Sequence, residues 1–324
     1  MPSSSQMLRL LSTLYSCVIH ARNLLYDLGL FRTYHTPPMV ISIGNIEAGG
    51  TGKTPFTMKL AEELKERGYT TAILTRGYKG RLSGTLLVSP DHKVEDVGDE
   101  TLLMARTSTV PVVKSPDRVA GARFAHEQLG TQIVIMDDGF QHRRIYRDLD
   151  IVLVAGDVFH DAPLPLGHLR EPASSLKRAD FIVYTKNAVH PQALSAQLIA
   201  SGLADPRGNR YDLENLNGKK VLAVCGIAKP QPFFSLLEQL GAHVEKLSFR
   251  DHHHYSDRDL DAIKKAALDN DIIVTTQKDM VKLDPALLDG KWHALEVTMH
   301  FPQIDTIIRE IEHIAENRRI PRQG

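Results

Sequence analysis

The sequence predicts an α/β protein, a parallel sheet with helices on both faces followed by a second, smaller α/β layer. Three observations carry this. Short apolar runs alternate with segments whose apolar positions recur at helical spacing, the pattern of buried strands and amphipathic helices. The run Met39-Val40-Ile41-Ser42-Ile43 leads through a glycine-rich turn into 56–67, where Met58, Leu60, Ala61 and Leu64 suit a helix. A polar, glycine-bearing stretch over 207–217 then separates two such series. The expected division is an N-terminal helix over 1–30, a first domain over 31–213 and a smaller domain over 214–324, whose last helix can return to the first.

Past the glycine-rich turn, 70–75 reads as a strand ending at Arg76-Gly77-Tyr78, and 86–88 as a short strand. A helix begins at Asp99, a strand covers 110–113 and a helix 116–129. The strongly apolar strand 132–136 ends in Asp137-Asp138-Gly139-Phe140-Gln141-His142, and strands follow at 150–154 and 181–184. In the second series, strands are expected at 220–224, 243–247, 272–276 and 292–297, with helices at 232–240 and 257–268. In such sheets ligands gather at the C-terminal ends of the strands, where the polar motifs fall.

Composition narrows the partners. The 39 basic and 39 acidic side chains balance, so no global field argues for nucleic acid. Cys17 and Cys225 lie far apart without metal spacing, which suits a reducing compartment and no disulfide framework. At the N-terminus, Met7, Leu11, Leu14, Val18, Ala21, Leu25 and Leu28 form one helical stripe, widened by Leu10, Tyr15 and Ile19. Arg9, Arg22, Asn23 and Asp27 lie off it, which argues against a spanning helix. Two readings stand: a helix packed on its own domain, or one lying in a membrane interface.

The turn after the first strand, Glu47-Ala48-Gly49-Gly50-Thr51-Gly52-Lys53-Thr54, has the chemistry of a phosphate loop. Glycines let backbone amides converge on phosphate oxygens, and the helix N-terminus adds its positive dipole. Lys53 then reaches the β- and γ-phosphates and the Thr54 hydroxyl binds Mg²⁺, so the fold is P-loop NTPase-like and the chain handles a nucleoside triphosphate. The first glycine of the usual pattern falls on Glu47. Ala48 stands where partner-dependent ATPases carry an extra lysine. Asp137-Asp138 ends a buried strand where a Walker-B carboxylate belongs, against the bland reading of a solvated turn. Asp99-Glu100 opens a helix after Gly98 and reads either as a cap or as a carboxylate base for an acceptor hydroxyl. His252, His253 and His254 are consecutive, so their side chains diverge and make a poor chelate; one imidazole sharing a proton with a carboxylate is the better use. Arg76, Arg118 and Arg170 at strand ends or loops suit phosphate oxygens.

These stretches, together with Ser42-Ile43-Gly44-Asn45, Leu169-Arg170-Glu171-Pro172, Phe249-Arg250-Asp251-His252 and Thr276-Gln277-Lys278-Asp279, resemble the tetraacyldisaccharide 4′-kinase family of lipid A assembly. The resemblance runs from the first helix to about residue 283, and its Asp-Asp-Gly-Phe-Gln-His run is the specific part. It implies ATP with Mg²⁺ as phosphoryl donor. The acceptor is the 4′-hydroxyl of a tetraacyl glucosamine disaccharide 1-phosphate, a lipid A disaccharide precursor, and the product lipid IVA. It implies a first helix that touches the bacterial inner membrane from the cytoplasmic face, with no obligate protein partner. By position it makes Asp99 the base, His252 its imidazole partner and Asp138 a catalytic acid group. Thr54, Asp137, Glu100 and Gln141 fall on the metal side, and residues 47–54 on the nucleotide. Arg76, Tyr78, Arg118, His142, Arg170 and Glu171 become substrate contacts. The rival readings are a partner-activated ATPase or GTPase switch and a soluble small-metabolite kinase. The first lacks an Asn-Lys-x-Asp guanine reader; the second leaves the N-terminal stripe as plain core.

Overall fold

The computed structural model describes residues 4–186 and 193–322. In chain order the first unit contains α1 (Ser4–Asp27), β1 (Met39–Gly44), α2 (Lys53–Glu66), β2 (Thr71–Thr75), β3 (Leu86–Leu87), α3 (Val94–Val97) and α4 (Asp99–Thr107). It continues through β4 (Val112–Lys114), α5 (Arg118–Leu129), β5 (Ile133–Asp137), β6 (Leu149–Val154), β7 (Phe181–Tyr184) and β8 (Leu194–Ser195). These strands form one sheet in the order β3-β4-β2-β5-β1-β6-β7-β8, parallel except for the β3–β4 pair. The crossovers place the ends of β4, β2, β5, β1 and β6 side by side along one rim. In β1 and β5 every residue is buried, and Ile43 pairs with Asp137. The glycine-rich turn and the acidic turn are therefore neighbours.

Gly44 is what lets them meet. A Cβ there would lie 2.4 Å from Phe140 Cβ and 2.8 Å from its backbone nitrogen, so the acidic turn folds across the strand end only over a glycine. The Gly139 N–H then donates to the Ile43 carbonyl at 2.9 Å.

The second unit holds β9 (Gln197–Ala204), β10 (Arg210–Tyr211), β11 (Lys220–Cys225), α6 (Gln231–Gln239), β12 (His243–Ser248), α7 (Asp257–Ala266), β13 (Ile272–Thr276), α8 (Gln277–Met280) and β14 (Trp292–His300). Its sheet runs β10-β9-β14-β13-β11-β12, with β9 antiparallel to β14. Thus it begins at Gln197, upstream of the residue-214 boundary expected from sequence, and the expected connector itself carries β10. Strand β9 places Leu198 and Ile199 side by side in exposed positions and buries Gly202 and Leu203, so no period-two alternation announces it.

The final helix, α9 (Ile304–Asn317), buries Ile307, Ile308, Ile311 and Ala315 in the core of the first unit, beside α2. Met299 and Phe301 join that core, and the Phe56 and Phe301 rings lie 5.4 Å apart. One apolar core thus spans the return of the chain.

At the other end, α1 is held by its polar residues. Ser12 and Tyr15 donate to the carbonyls of Pro163 and Arg170, at 2.7 and 2.8 Å. Arg22 and Asn23 donate to Glu171 at 3.2 and 2.9 Å. Most of its apolar stripe points outward, with Leu10 70 % exposed, Leu14 60 % and Val18 59 %, while Ile19 is buried and Tyr15 half-buried on the protein side. No helix among the described residues is long and apolar enough to cross a membrane.

Candidate active site

The phosphate loop joins β1 to α2. Gly49 and Gly52 have φ of 121° and 84°, a region glycine enters freely. Gly52 also lies under Met299, whose Cε would be 2.9 Å from a Cβ at that position. Asn45 donates to the Thr51 hydroxyl at 3.0 Å and braces the loop from within. Phe56 N–H donates to the Gly52 carbonyl, while the preceding amides of the first turn have no intrahelical acceptor and are left for a ligand.

Three expected contacts have other partners in the structure. The Ala48 N–H donates to the His168 carbonyl at 2.7 Å, so that amide is turned away from the cradle. The Glu47 carboxylate accepts from the Ala155 N–H at 2.7 Å and closes the neighbouring loop. Glu171, expected to touch substrate, is fully buried, and Arg22, Asn23 and Arg178 occupy its oxygens. It anchors α1.

The acidic turn faces the loop. Lys53 Nζ lies 3.4 Å from Asp138 Oδ1, and Arg170 Nη1 donates to both Asp138 oxygens at 3.1 and 3.0 Å. Burial works against the Asp138 charge, but Lys53 and Arg170 outweigh it and hold the carboxyl below the usual range. Asp138 has φ 54°, a strained setting for a residue with a Cβ, which aims its carboxylate at the lysine. Asp137 is its opposite. Burial first, then the charges of Glu100 and Asp138, push it up to about 7, although it accepts from Thr57 at 3.1 Å. A buried carboxylate destabilised by two other acids calls for a cation. Gln141 donates to the Asn45 carbonyl at 2.8 Å and pins the acidic turn to the end of β1.

Beside them, Arg118 is buried at the start of α5, with its Nε unpartnered and one amino group donating to the Ser115 carbonyl. Burial lowers it to about 10 while Asp137 and Asp138 oppose the shift, so it stays charged at neutral pH. Burial, then the Arg118 charge, pushes His142 down to about 4, leaving it neutral. Arg76 is exposed at the end of β2, close enough to Arg118 to lower its pKa.

The second unit supplies the other side. Of the three histidines, His252 pairs with Asp99: Nδ1 is 2.7 Å from Oδ2, with both side chains largely buried. His253 pairs with Asp259 instead, at 3.2 Å. Asp99 opens α4 after Gly98, whose φ is 89° and whose added Cβ would lie 2.2 Å from the Tyr78 carbonyl oxygen. The Glu100 N–H donates to Asp99 Oδ1 at 2.9 Å, and the Tyr78 ring meets the His252 ring edge-on at 5.8 Å. Burial opposes ionisation of Asp99, yet Lys278, His252 and Lys282 outweigh it and keep the carboxyl below its ordinary value.

Lys278 and Lys282 were not among the residues picked from sequence. Lys278 Nζ is 3.0 Å from Glu100 Oε1, and Lys282 Nζ is 3.9 Å from Asp99 Oδ2 and 2.7 Å from the buried Asp279. Lys278 lies in the Thr276-Gln277-Lys278-Asp279 stretch that carries the resemblance, but no role was assigned to it; its contact with Glu100 spans 178 residues.

Comparison with known proteins agrees with this geometry. The family described as LpxK, tetraacyldisaccharide-1-P 4′-kinase, matches residues 4–314. Relatives named tetraacyldisaccharide 4′-kinase include one from Syntrophus aciditrophicus, 38% identical over 319 residues, covering 86% of this chain and 84% of that protein. Another, from Desulfatibacillum aliphaticivorans, is 38% identical over 333 residues, covering 91% and 89%. A crystal structure described as the "apo" form of LpxK from Aquifex aeolicus in complex with ATP superposes with a TM-score of 0.83 at 34% identity, covering 96% of this chain and 99% of that one. With likeness running through almost its whole length, including the rim where loop, acids and imidazole converge, the chain belongs to the tetraacyldisaccharide 4′-kinase family and is a kinase.

Proposed function

We propose that this kinase moves the γ-phosphoryl group of ATP to the 4′-hydroxyl of a tetraacyl glucosamine disaccharide 1-phosphate. The observation that carries the reading is the 2.7 Å pair of Asp99 and His252, which the second unit brings to the same rim as the phosphate loop. In the reaction the hydroxyl oxygen forms a bond to the γ-phosphorus while the bond to the bridging β–γ oxygen breaks. ADP departs, and the hydroxyl proton passes to Asp99, a base kept ionised by its cationic neighbours. His252 steadies that carboxylate. The free amides of the loop, with Lys53, hold the transferred charge; Arg118, Arg76 and Arg170 meet phosphate oxygens of donor or acceptor.

The residues fit Mg²⁺, since Asp137 is destabilised as an anion and Thr54 stands at the start of α2. Thr54, Asp137 and Glu100 would hold it, with Gln141 alongside, and it would neutralise phosphate charge. Among the described residues no three His, Cys, Asp or Glu side chains form a ready metal cage.

The outward stripe of α1 supports a peripheral seat on the membrane that contains the acylated acceptor, at its cytoplasmic face, where ATP is. The chemical reading is tested by Asp99→Asn. Turnover is expected to fall about 10²–10⁴-fold with nucleotide affinity nearly unchanged. A variant that keeps more than a tenth of wild-type turnover removes Asp99 as the base.

A further inference from the structure

Beyond helping to keep Asp99 ionised, Lys278 has no task in the chemistry above, although its ammonium sits at the seam between the units, with its side chain 19 % exposed. Glu100 Oε1 lies 3.0 Å from Nζ and His252 Nε2 3.5 Å from it. Asp251 Oδ1 and Asp99 Oδ2 follow at 3.9 and 4.0 Å. An ammonium has three hydrogens to give and no lone pair. The ring nitrogen facing it therefore presents its lone pair, and a neutral imidazole must then carry its hydrogen on Nδ1. That nitrogen is the one 2.7 Å from Asp99 Oδ2.

We infer that Lys278 is a positioning residue that fixes the His252 tautomer donating to Asp99 and keeps the ring from turning to Asp251. The competing acceptor is real: Asp251 Oδ2 is 3.8 Å from His252 Nε2. Backbone registers the two side chains on each other. Thr276 caps α8 by accepting from the Asp279 N–H at 3.0 Å, and its hydroxyl donates to Asp279 Oδ2 at 2.7 Å. The same carboxylate oxygen accepts from the Gly226 N–H at 2.9 Å, and the Gly226 carbonyl accepts from the His252 N–H at 3.1 Å. Gly226 thus links helix α8, which carries Lys278, to the turn that carries His252. Lys282, the other cation near Asp99, is committed to Asp279 at 2.7 Å. Tyr78 offers His252 a ring edge contact rather than a charge.

The inference rests on the roles given to Asp99 and His252, and a double-mutant cycle separates the two. Lys278→Met is expected to lower kcat roughly 10–50-fold while the KM for ATP moves less than about threefold. Lys278→Arg should recover part of the loss. On a His252→Ala background, Lys278→Met should cost less than about twofold, because the group it acts through is gone. Should Lys278→Met not fold, Lys278→Gln carries the same cycle. Losses that simply multiply, or a loss confined to the KM for ATP, overturn the inference and make Lys278 a direct phosphate contact or a structural ion pair. A silent His252→Ala overturns the imidazole reading and this inference with it; a defective His252→Ala with multiplying losses removes only the role of Lys278.

Discussion

The first unit and the second build opposite sides of the same rim by different means. In the first, the phosphate loop and the acidic turn are contiguous motifs, brought together by one parallel pair, β1 with β5. In the second, His252 stands on a turn and Lys278 on the short helix α8, and they reach Asp99 and Glu100 across 153 and 178 residues. Local backbone chemistry makes a phosphate cradle; tertiary packing makes a base. The two should therefore fail differently when damaged.

The largest effect is expected in the cradle. Lys53→Ala removes the charge that faces Asp138, and kcat/KM for ATP should fall about 10³-fold, part of it in nucleotide affinity measured by titration. His252→Ala should cost about 10–100-fold, nearly all in kcat, because nothing in the cradle moves. If both variants lose nucleotide affinity alike, the division between the two sides fails.

The chain termini sharpen the comparison further. Helices α1 and α9 both have an apolar face, but α9 buries Ile307, Ile308 and Ile311 in the first core while α1 leaves Leu10, Leu14 and Val18 in solvent. Ile311→Ala should destabilise the fold by about 2–4 kcal/mol. The triple change of Leu10, Leu14 and Val18 to Ser should leave the melting temperature within a few degrees and move the protein from sedimenting vesicles to the supernatant. Continued vesicle binding would place the membrane contact elsewhere.

The smallest effect concerns Asp137. Its folded-state pKa of about 7 lies above the ordinary 3.8, so the folded state holds the proton more tightly than the unfolded chain. Stability from this group is complete below about pH 4 and is lost as pH rises toward and past 7. Without nucleotide or divalent cation, Asp137→Asn should be the more stable protein at pH 8, by roughly 1–3 kcal/mol, and the gap should narrow at pH 5. Thermal melts at the two pH values decide it; a variant less stable at pH 8 would show that the carboxylate is not strained.

Much of this was legible in the sequence, and the gaps have physical causes. Strand β1, the loop and strand β5 are apolar runs bounded by glycine or aspartate, so hydrophobic pattern and turn chemistry locate them. The stripe on α1 was visible, but whether protein or lipid covers it was not; its polar anchors, Ser12, Tyr15, Arg22 and Asn23, settle which side packs. Strand β9 was missed because its apolar residues do not alternate: Leu198 and Ile199 are adjacent and both exposed, and only Leu203 is in the core. Glu171 was placed among the substrate contacts by the resemblance alone; it is fully buried, with Arg22, Asn23 and Arg178 on its oxygens. Lys278 fell within a quoted motif but received no role, since an isolated lysine has no local signature of the carboxylates it faces in the other unit.

The central claim is that the hydroxyl held by Asp99 receives the phosphoryl group that the loop holds. The most direct measurement mixes purified protein with γ-labelled ATP, Mg²⁺ and a tetraacyl disaccharide 1-phosphate in detergent micelles, then counts ADP against phosphorylated lipid. Equal amounts of the two, with the new phosphate on the 4′ position, are the expected result. ADP released without labelled lipid would contradict the account and leave an ATPase in its place.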